Sequence, residues 1–264
     1  MEEMEEKDKI RGDVKMKSPF LTKLDNFFYH YKWHSIIALF LVIVFLVCAL
    51  QMCGQKQYDL EVMYAGPKNL SDRQTVLDIQ NAFADIADDR TGDGVKTVNL
   101  VSYWVDDSLW KELTDGKEDG EKEEDTAGRG QLMNNSYNNE KAFVDEIAAG
   151  NVVICLVSPY LFHMVDDEAG FMRVTDVFPD LAEYEEEVCV YDEDGDINRF
   201  GVYLSKTAFG EKAGLSSLPD DTVLCVRKKA ALSFWYNGDK AEEKHAYSVE
   251  VFRRALALGK RETD

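Results

Sequence analysis

Ser35 to Met52, SIIALFLVIVFLVCALQM, contains no charged residue and only Ser35 and Gln51 as polar ones. At about 1.5 Å rise per residue, a helix over this stretch is long enough for the roughly 30 Å hydrocarbon core of a bilayer. A helix buried in a soluble core would carry one polar face, and none of these turns supplies one. The stretch therefore predicts a transmembrane helix over 34–53, with the lipid bilayer as its partner along 35–52. A cleaved signal fits less well, because a long charged segment precedes the run and no small-x-small pattern follows it. A lipoprotein signal fits no better: Val47 precedes Cys48 and Met52 precedes Cys53, where a small residue is required.

Charge divides around that stretch. In 1–33, Lys7, Lys9, Arg11, Lys15, Lys17, Lys23 and Lys32 balance Glu2, Glu3, Glu5, Glu6, Asp8, Asp13 and Asp25. The formal charge of -20 thus falls entirely within 54–264. A domain that acidic repels nucleic acid and anionic head groups, so no nucleic-acid partner is expected. Lys15, Lys17, Lys23 and Lys32 outnumber Lys56, Lys68 and Arg73 near the apolar run. That bias predicts 1–33 as a polar cytoplasmic tail and 54–264 as an extracytoplasmic domain at the cell membrane. Tyr29, Tyr31 and Trp33 form an aromatic group suited to the membrane interface, either as a belt or as part of a surface-lying helix from Leu21 to Trp33. Of the 5 cysteines, Cys155, Cys189 and Cys225 sit in apolar runs without CxxC spacing and read as small buried hydrophobes.

Beyond the apolar stretch the hydrophobic pattern alternates between strand and helix. Gln57 to Tyr64 alternates apolar and polar residues and stops at AlaGlyPro. Ser71 and Asp72 precede a helical pattern through Val76, Ile79 and Phe83 that ends near Asp88. Val95 to Val105 is a second strand, completing a parallel crossover unit. Acidic, glycine-containing 114–130 has almost nothing to bury and predicts a mobile loop. A short helix after Asn138 and Asn139 ends at Gly150, and Asn151 to Val157 reads as a central strand covered on both faces. A helical turn over Leu161 to Asp167, an extended piece over Phe171 to Phe178 and a short helix over 179–187 follow. Val188 to Tyr191 and Arg199 to Leu204 flank AspGly as a hairpin. Thr222 to Arg227 is a strand, with Ala230 to Tyr236 its possible partner beyond the basic ArgLysLys, and Ala241 to Leu258 is a helix ending at Gly259. The fold class is α/β, with a mixed, mostly parallel sheet and helices on both faces.

No P-loop, GxGxxG, GxSxG or HExxH occurs, so no catalytic residue and no cofactor is assigned. His163 and His245 stand far apart in the sequence, without ligand spacing, and read as structural or solvated. Asp89, Thr91 and Asp93 alternate before Gly94 as in a calcium loop, but Leu100 stands where the bidentate acid belongs. Asp192, Asp194 and Asp196 alternate too, with Ile197 in place of the required glycine. Both read as turns, and no metal site is expected. In a doubly wound sheet, ligands gather beyond the carboxyl ends of the parallel strands. Those ends offer Tyr64 and Gly66, Tyr103 and Trp104, and Ser158 and Tyr160. Aromatic rings and backbone amides there suit a sugar or peptide, or they cap the core.

YDLEVMYAGP, then FVDEIAAGNVVICLVSPYLFHMVDDEAGFMRVTDVFPD, resembles the extracytoplasmic solute-binding proteins of ABC importers. In that family a helix ending in an aliphatic-AlaGly turn precedes the strand next to the ligand. RFGVYLSKTAF is similar to the family's crossing strand, with Tyr203 in place of a proline. The resemblance implies one lobe of a periplasmic-binding-like fold and a binding role toward a small solute or peptide, not catalysis. Tyr29 to His34, YHYKWH, resembles the segment preceding the single span in membrane-anchored proteins of Gram-positive bacteria. An accessory subunit of a membrane complex, with that complex as its partner, is the alternative role.

Overall fold

The computed structural model describes residues 19–53, 57–109, 126–165, 170–179, 189–191, 197–229 and 231–259. It divides into two units, Met1–Lys56 and Gln57–Asp264.

The first unit contains helix α1, Pro19–Cys53, 35 residues long. Its backbone leaves helical geometry at Tyr31, with φ -117° and ψ 17°. There the Tyr31 ring meets His34 edge-on, with centroids 6.1 Å apart. From Ile36 to Leu50 the side chains are apolar and, apart from half-buried Ala49, exposed on every side of the helix. The side chains of Ser35 and of residues 51–53 lie outside the described ones, which leaves an apolar run shorter than the expected 34–53. Among the described residues no helix is long and apolar enough to cross a membrane.

The second unit is an α/β domain on a six-stranded mixed sheet. Strands β1 (Leu60–Gly66), β2 (Val98–Trp104) and β3 (Ile154–Val157) are parallel, with β1 between the other two. β4 (Cys189–Tyr191), β5 (Ile197–Tyr203) and β6 (Val223–Val226) complete the order β2-β1-β3-β6-β5-β4, each antiparallel to its neighbours. The helices are α2 (Arg73–Ile86), α3 (Thr126–Ala149), the short α4 (Pro159–Met164) and α5 (Val174–Val177), and α6 (Ala231–Leu256).

Side chains alternate across a strand, so β1 and β3 feed two cores. Val62, Tyr64, Ile154 and Leu156 pack with Ile79 and Phe83 of α2 and with Val251 and Phe252 of α6. Met63, Ala65, Cys155 and Val157 face the other way, against Phe143 of α3 and Leu161 and Phe162 of α4. A ring as large as Phe83, fully buried, contributes about 2–3 kcal/mol on transfer alone. This two-sided burial is why 152–157 is continuously apolar.

The elements begin and end for local reasons. Asp72 caps α2, accepting from the Thr75 amide at 2.9 Å. Gly150, at φ 82°, turns the chain out of α3 while its amide donates to the Glu146 carbonyl at 2.9 Å.

Several expected boundaries move. β1 covers Leu60–Gly66, not Gln57–Tyr64, because pairing with Val98 to Trp104 carries the ladder through AlaGly. α3 begins at Thr126, well before Asn138 and Asn139. The loop expected at 114–130 is thus helical at 126–130, while 114–125 lies outside the described residues. Tertiary bonds favour this long polar helix: buried Ser136 accepts from the Asp106 amide at 3.1 Å, and Asn139 donates to the Trp104 carbonyl at 2.9 Å. Within the stretch expected to be extended, Phe171 alone bridges Arg227, and Val174–Val177 is a helical turn.

Ala231 to Tyr236 belongs to α6 rather than to a strand, with the helix kinked at Gly238. β6 already has β3 and β5 as neighbours, so no ladder was open to it. The AspGly turn at 192–196 and the helix expected over 180–187 lie outside the described residues, although β4 and β5 do pair antiparallel.

Candidate functional site

At the carboxyl ends of the parallel strands, register brings the expected residues together. Gly66 pairs with Trp104 and Ala65 with Tyr103, and the Ser158 amide donates to the Ala65 carbonyl at 2.9 Å. The polar groups there bond to the protein itself. The buried Tyr64 hydroxyl accepts from the Lys68 amide at 3.1 Å, and burial pushes its pKa up to about 12. Trp104 donates its indole N–H to the Pro67 carbonyl at 2.8 Å. Ser158 caps α4, its hydroxyl 3.4 Å from the Leu161 amide. Tyr160 donates to Glu140 at 3.2 Å, and half-buried Tyr103 packs against the second core. A side chain at Gly66 would start 3.0 Å from the Tyr64 hydroxyl, so the end of β1 is closed by its own tyrosine. Tyr64 and Trp104 are thus tied into the end of the sheet, while the Tyr160 ring stays exposed.

The Asp89 turn is held in the same self-contained way. Asp89 accepts from the amides of Gly92 at 2.7 Å and Gly94 at 2.8 Å. The turn is pinned from below by buried Asp59, which accepts from the amides of Arg90, Thr91 and Thr97 and from the Thr97 hydroxyl. Burial alone would raise the Asp59 pKa, but these donors outweigh it and bring it to about 2. The second acidic turn, 192–196, lies outside the described residues. Cys155, Cys189 and Cys225 are buried and in no disulfide, with Cys155 and Cys225 opposite each other on β3 and β6.

A cleft of about 340 Å³ opens elsewhere, lined by Met172, Arg173, Asp176, Lys228, Lys229 and His245. Because Ile154 pairs with Val226, the exit of β6 lies where the parallel strands begin, at the end of the sheet opposite Gly66 and Ser158.

Short ladder bonds build its floor. Met172 donates its amide to the Val226 carbonyl and Lys228 to the Gly170 carbonyl, both at 2.8 Å. Beneath them the buried Arg227 donates to the carbonyls of Val152, Ile147 and Gly150 at 3.0, 3.0 and 2.9 Å, closing the end of α3. Burial lowers the Arg227 pKa, opposed by Cys155 and Glu146.

On the walls, the Arg173 guanidinium lies 5.7 Å from the Phe200 ring centre and Lys229 pairs with Glu242 at 2.8 Å. His245 Nε2 is 2.9 Å from the Arg227 carbonyl, so that nitrogen carries the proton. Burial lowers the His245 pKa, and the cations Arg227 and Lys229 reinforce the shift. The sequence signal for this cleft was ArgLysLys at the exit of β6, in a domain otherwise dominated by acids. Arg173 and His245 carry no such mark.

No protein-family model, no curated protein and no solved structure matches the chain.

Proposed function

We propose that the chain is a single-pass membrane-anchored binding or interaction protein. Residues 34–53 cross the cell membrane, 1–33 lie in the cytoplasm and the acidic α/β domain stands outside. No reaction is assigned to it. The observation that carries the reading is the sleeve of exposed apolar side chains from Ile36 to Leu50, which water would solvate at high cost and lipid would not. The solute-binding part of the reading draws on the resemblance of Tyr58 to Leu204 to the importer proteins.

A tag placed after Asp264 tests it. Protease added to intact cells should remove the tag without lysis. Protection until lysis would put the acidic domain in the cytoplasm and end the reading as a receptor for external solutes.

One observation favours the accessory-subunit role instead. Tyr137 and Val144 of α3 and Tyr160 and Met164 of α4 are large exposed apolar residues. A partner protein that stays bound through mild detergent extraction, and is released by Tyr137→Asp with Val144→Asp, would decide for that role.

A further inference from the structure

We propose that the cleft between the exit of β6, the Met172–Asp176 segment and α6 binds a small oxyanion, a soluble molecule bearing phosphate or carboxylate groups. The inference rests on reading the domain as a binding module, but not on the anchor.

Charge is the first argument. The chain carries a formal charge of -20, yet Arg173, Lys228 and Lys229 converge on this cleft, where Asp176 is the lining carboxylate and Glu242 pairs with Lys229 at its edge. Cations gathered in a concave site focus a positive potential within an otherwise negative field. The acidic exterior then works as a filter. Polyanions and anionic surfaces are repelled by the domain as a whole, while a small anion can enter this basic recess.

Rigidity is the second argument. The backbone on each side of the floor is tied by the ladder bonds of Met172 and Lys228, and Arg227 anchors the exit of β6 to α3. The cationic side chains therefore project from a fixed base, which lowers the ordering cost of binding.

The pair of Lys229 with Glu242 is solvent-exposed at both ends, with side-chain exposures of 36% and 60%. Such a pair is weak enough for an anion to displace. The volume, about 340 Å³, lies at the small end of ligand sites. It suits a compact molecule, with Met172 as the apolar wall.

The full-length chain, reconstituted in phosphatidylcholine nanodiscs, is titrated calorimetrically with inorganic phosphate and with citrate at constant ionic strength. Saturable one-to-one binding of either probe is expected. Arg173→Gln and Lys228→Gln should each weaken it about tenfold, the loss of one charge-assisted contact. Asp176→Asn should tighten it about threefold by removing the opposing carboxylate.

Arg173 and Asp176 are exposed, so Arg173→Gln and Asp176→Asn should melt as the parent does. The gain in Asp176→Asn cannot come from misfolding. Absence of saturable binding up to tens of millimolar for both probes, or binding indifferent to all three substitutions, overturns the proposal. So does binding that requires phosphatidylglycerol in the disc and ignores the soluble probes. Protease access reports the side of the membrane and the titration reports the cleft, so the two proposals fail separately.

Discussion

Four donors converge on the Asp59 carboxylate, two on each oxygen. An amide in its place keeps one acceptor oxygen and turns an NH2 toward donors that need an acceptor. Asp59→Asn should therefore cost about 2–4 kcal/mol in urea denaturation at pH 7. The same carboxylate sets an acid limit. Its folded pKa of about 2 lies below its unfolded value of about 3.9, so its contribution is complete above pH about 4 and is lost as pH falls toward 2. That contribution is about 1–2 kcal/mol after allowance for solvent near the turn, and the gap between parent and Asp59→Asn should narrow over that window. His245 acts in the opposite half of the scale. With its folded pKa lowered by burial, the unfolded chain takes up a proton that the folded one resists. Stability should fall as pH drops below about 6.5, and His245→Gln should flatten that slope while lowering stability at pH 8.

Among the elements, α3 and α2 are each fastened by one residue from elsewhere in the chain. Arg227 supplies donors to three carbonyls around the end of α3. Arg227→Met leaves those carbonyls without their donor, and about 3 kcal/mol of stability should go with it, read by denaturation. Amide exchange should show the loss concentrated in 141–150. Gly214 lies against the middle of α2, where a Cβ would come 2.5 Å from the Ile79 nitrogen and 2.8 Å from the Asp78 carbonyl carbon. Its φ of 82° compounds the clash, since a side chain is disfavoured there. Gly214→Ala should destabilise the domain by about 3 kcal/mol or more, whereas Gly92→Ala, with open space around it, should cost about 1 kcal/mol through its φ alone.

For the whole molecule, an apolar segment and an acidic domain impose different solvents on one chain. Membrane fractions washed in alkaline carbonate should retain the full chain, and deletion of 34–53 should move it to the supernatant. Appearance of the full chain in the wash would remove the anchor from the proposed function. The domain is built so that one end of its sheet is sealed and the other is open. Tyr64, Trp104 and Ser158 spend their polar atoms on Lys68, Pro67 and Leu161, whereas the cleft at the exit of β6 keeps a concave cationic surface.

The sequence alone determined whatever depends on neighbours along the chain. A period of two marked β1, a period of about three and a half marked α2, and a continuous apolar run marked β3, because each reports which side chains are hidden by local geometry. Asp72 and Gly150 marked ends in the same way, and the charge partition followed from composition. The tertiary structure decided what depends on distant partners. Thr126 to Gly130 is helical where a loop was expected, in a helix whose Ser136 and Asn139 bond to the chain leaving β2. Ala231 to Tyr236 is helical because β6 has no free edge. The strand-end aromatics, legible as a group, turned out to bond to their own surroundings. Of the cleft only ArgLysLys was legible, since Arg173 and His245 join Lys228 only when β6, the segment before α5 and α6 pack together. Hydrophobic periodicity is a local signal, but pairing partners, vacant edges and converging charges are properties of packing between segments far apart in sequence.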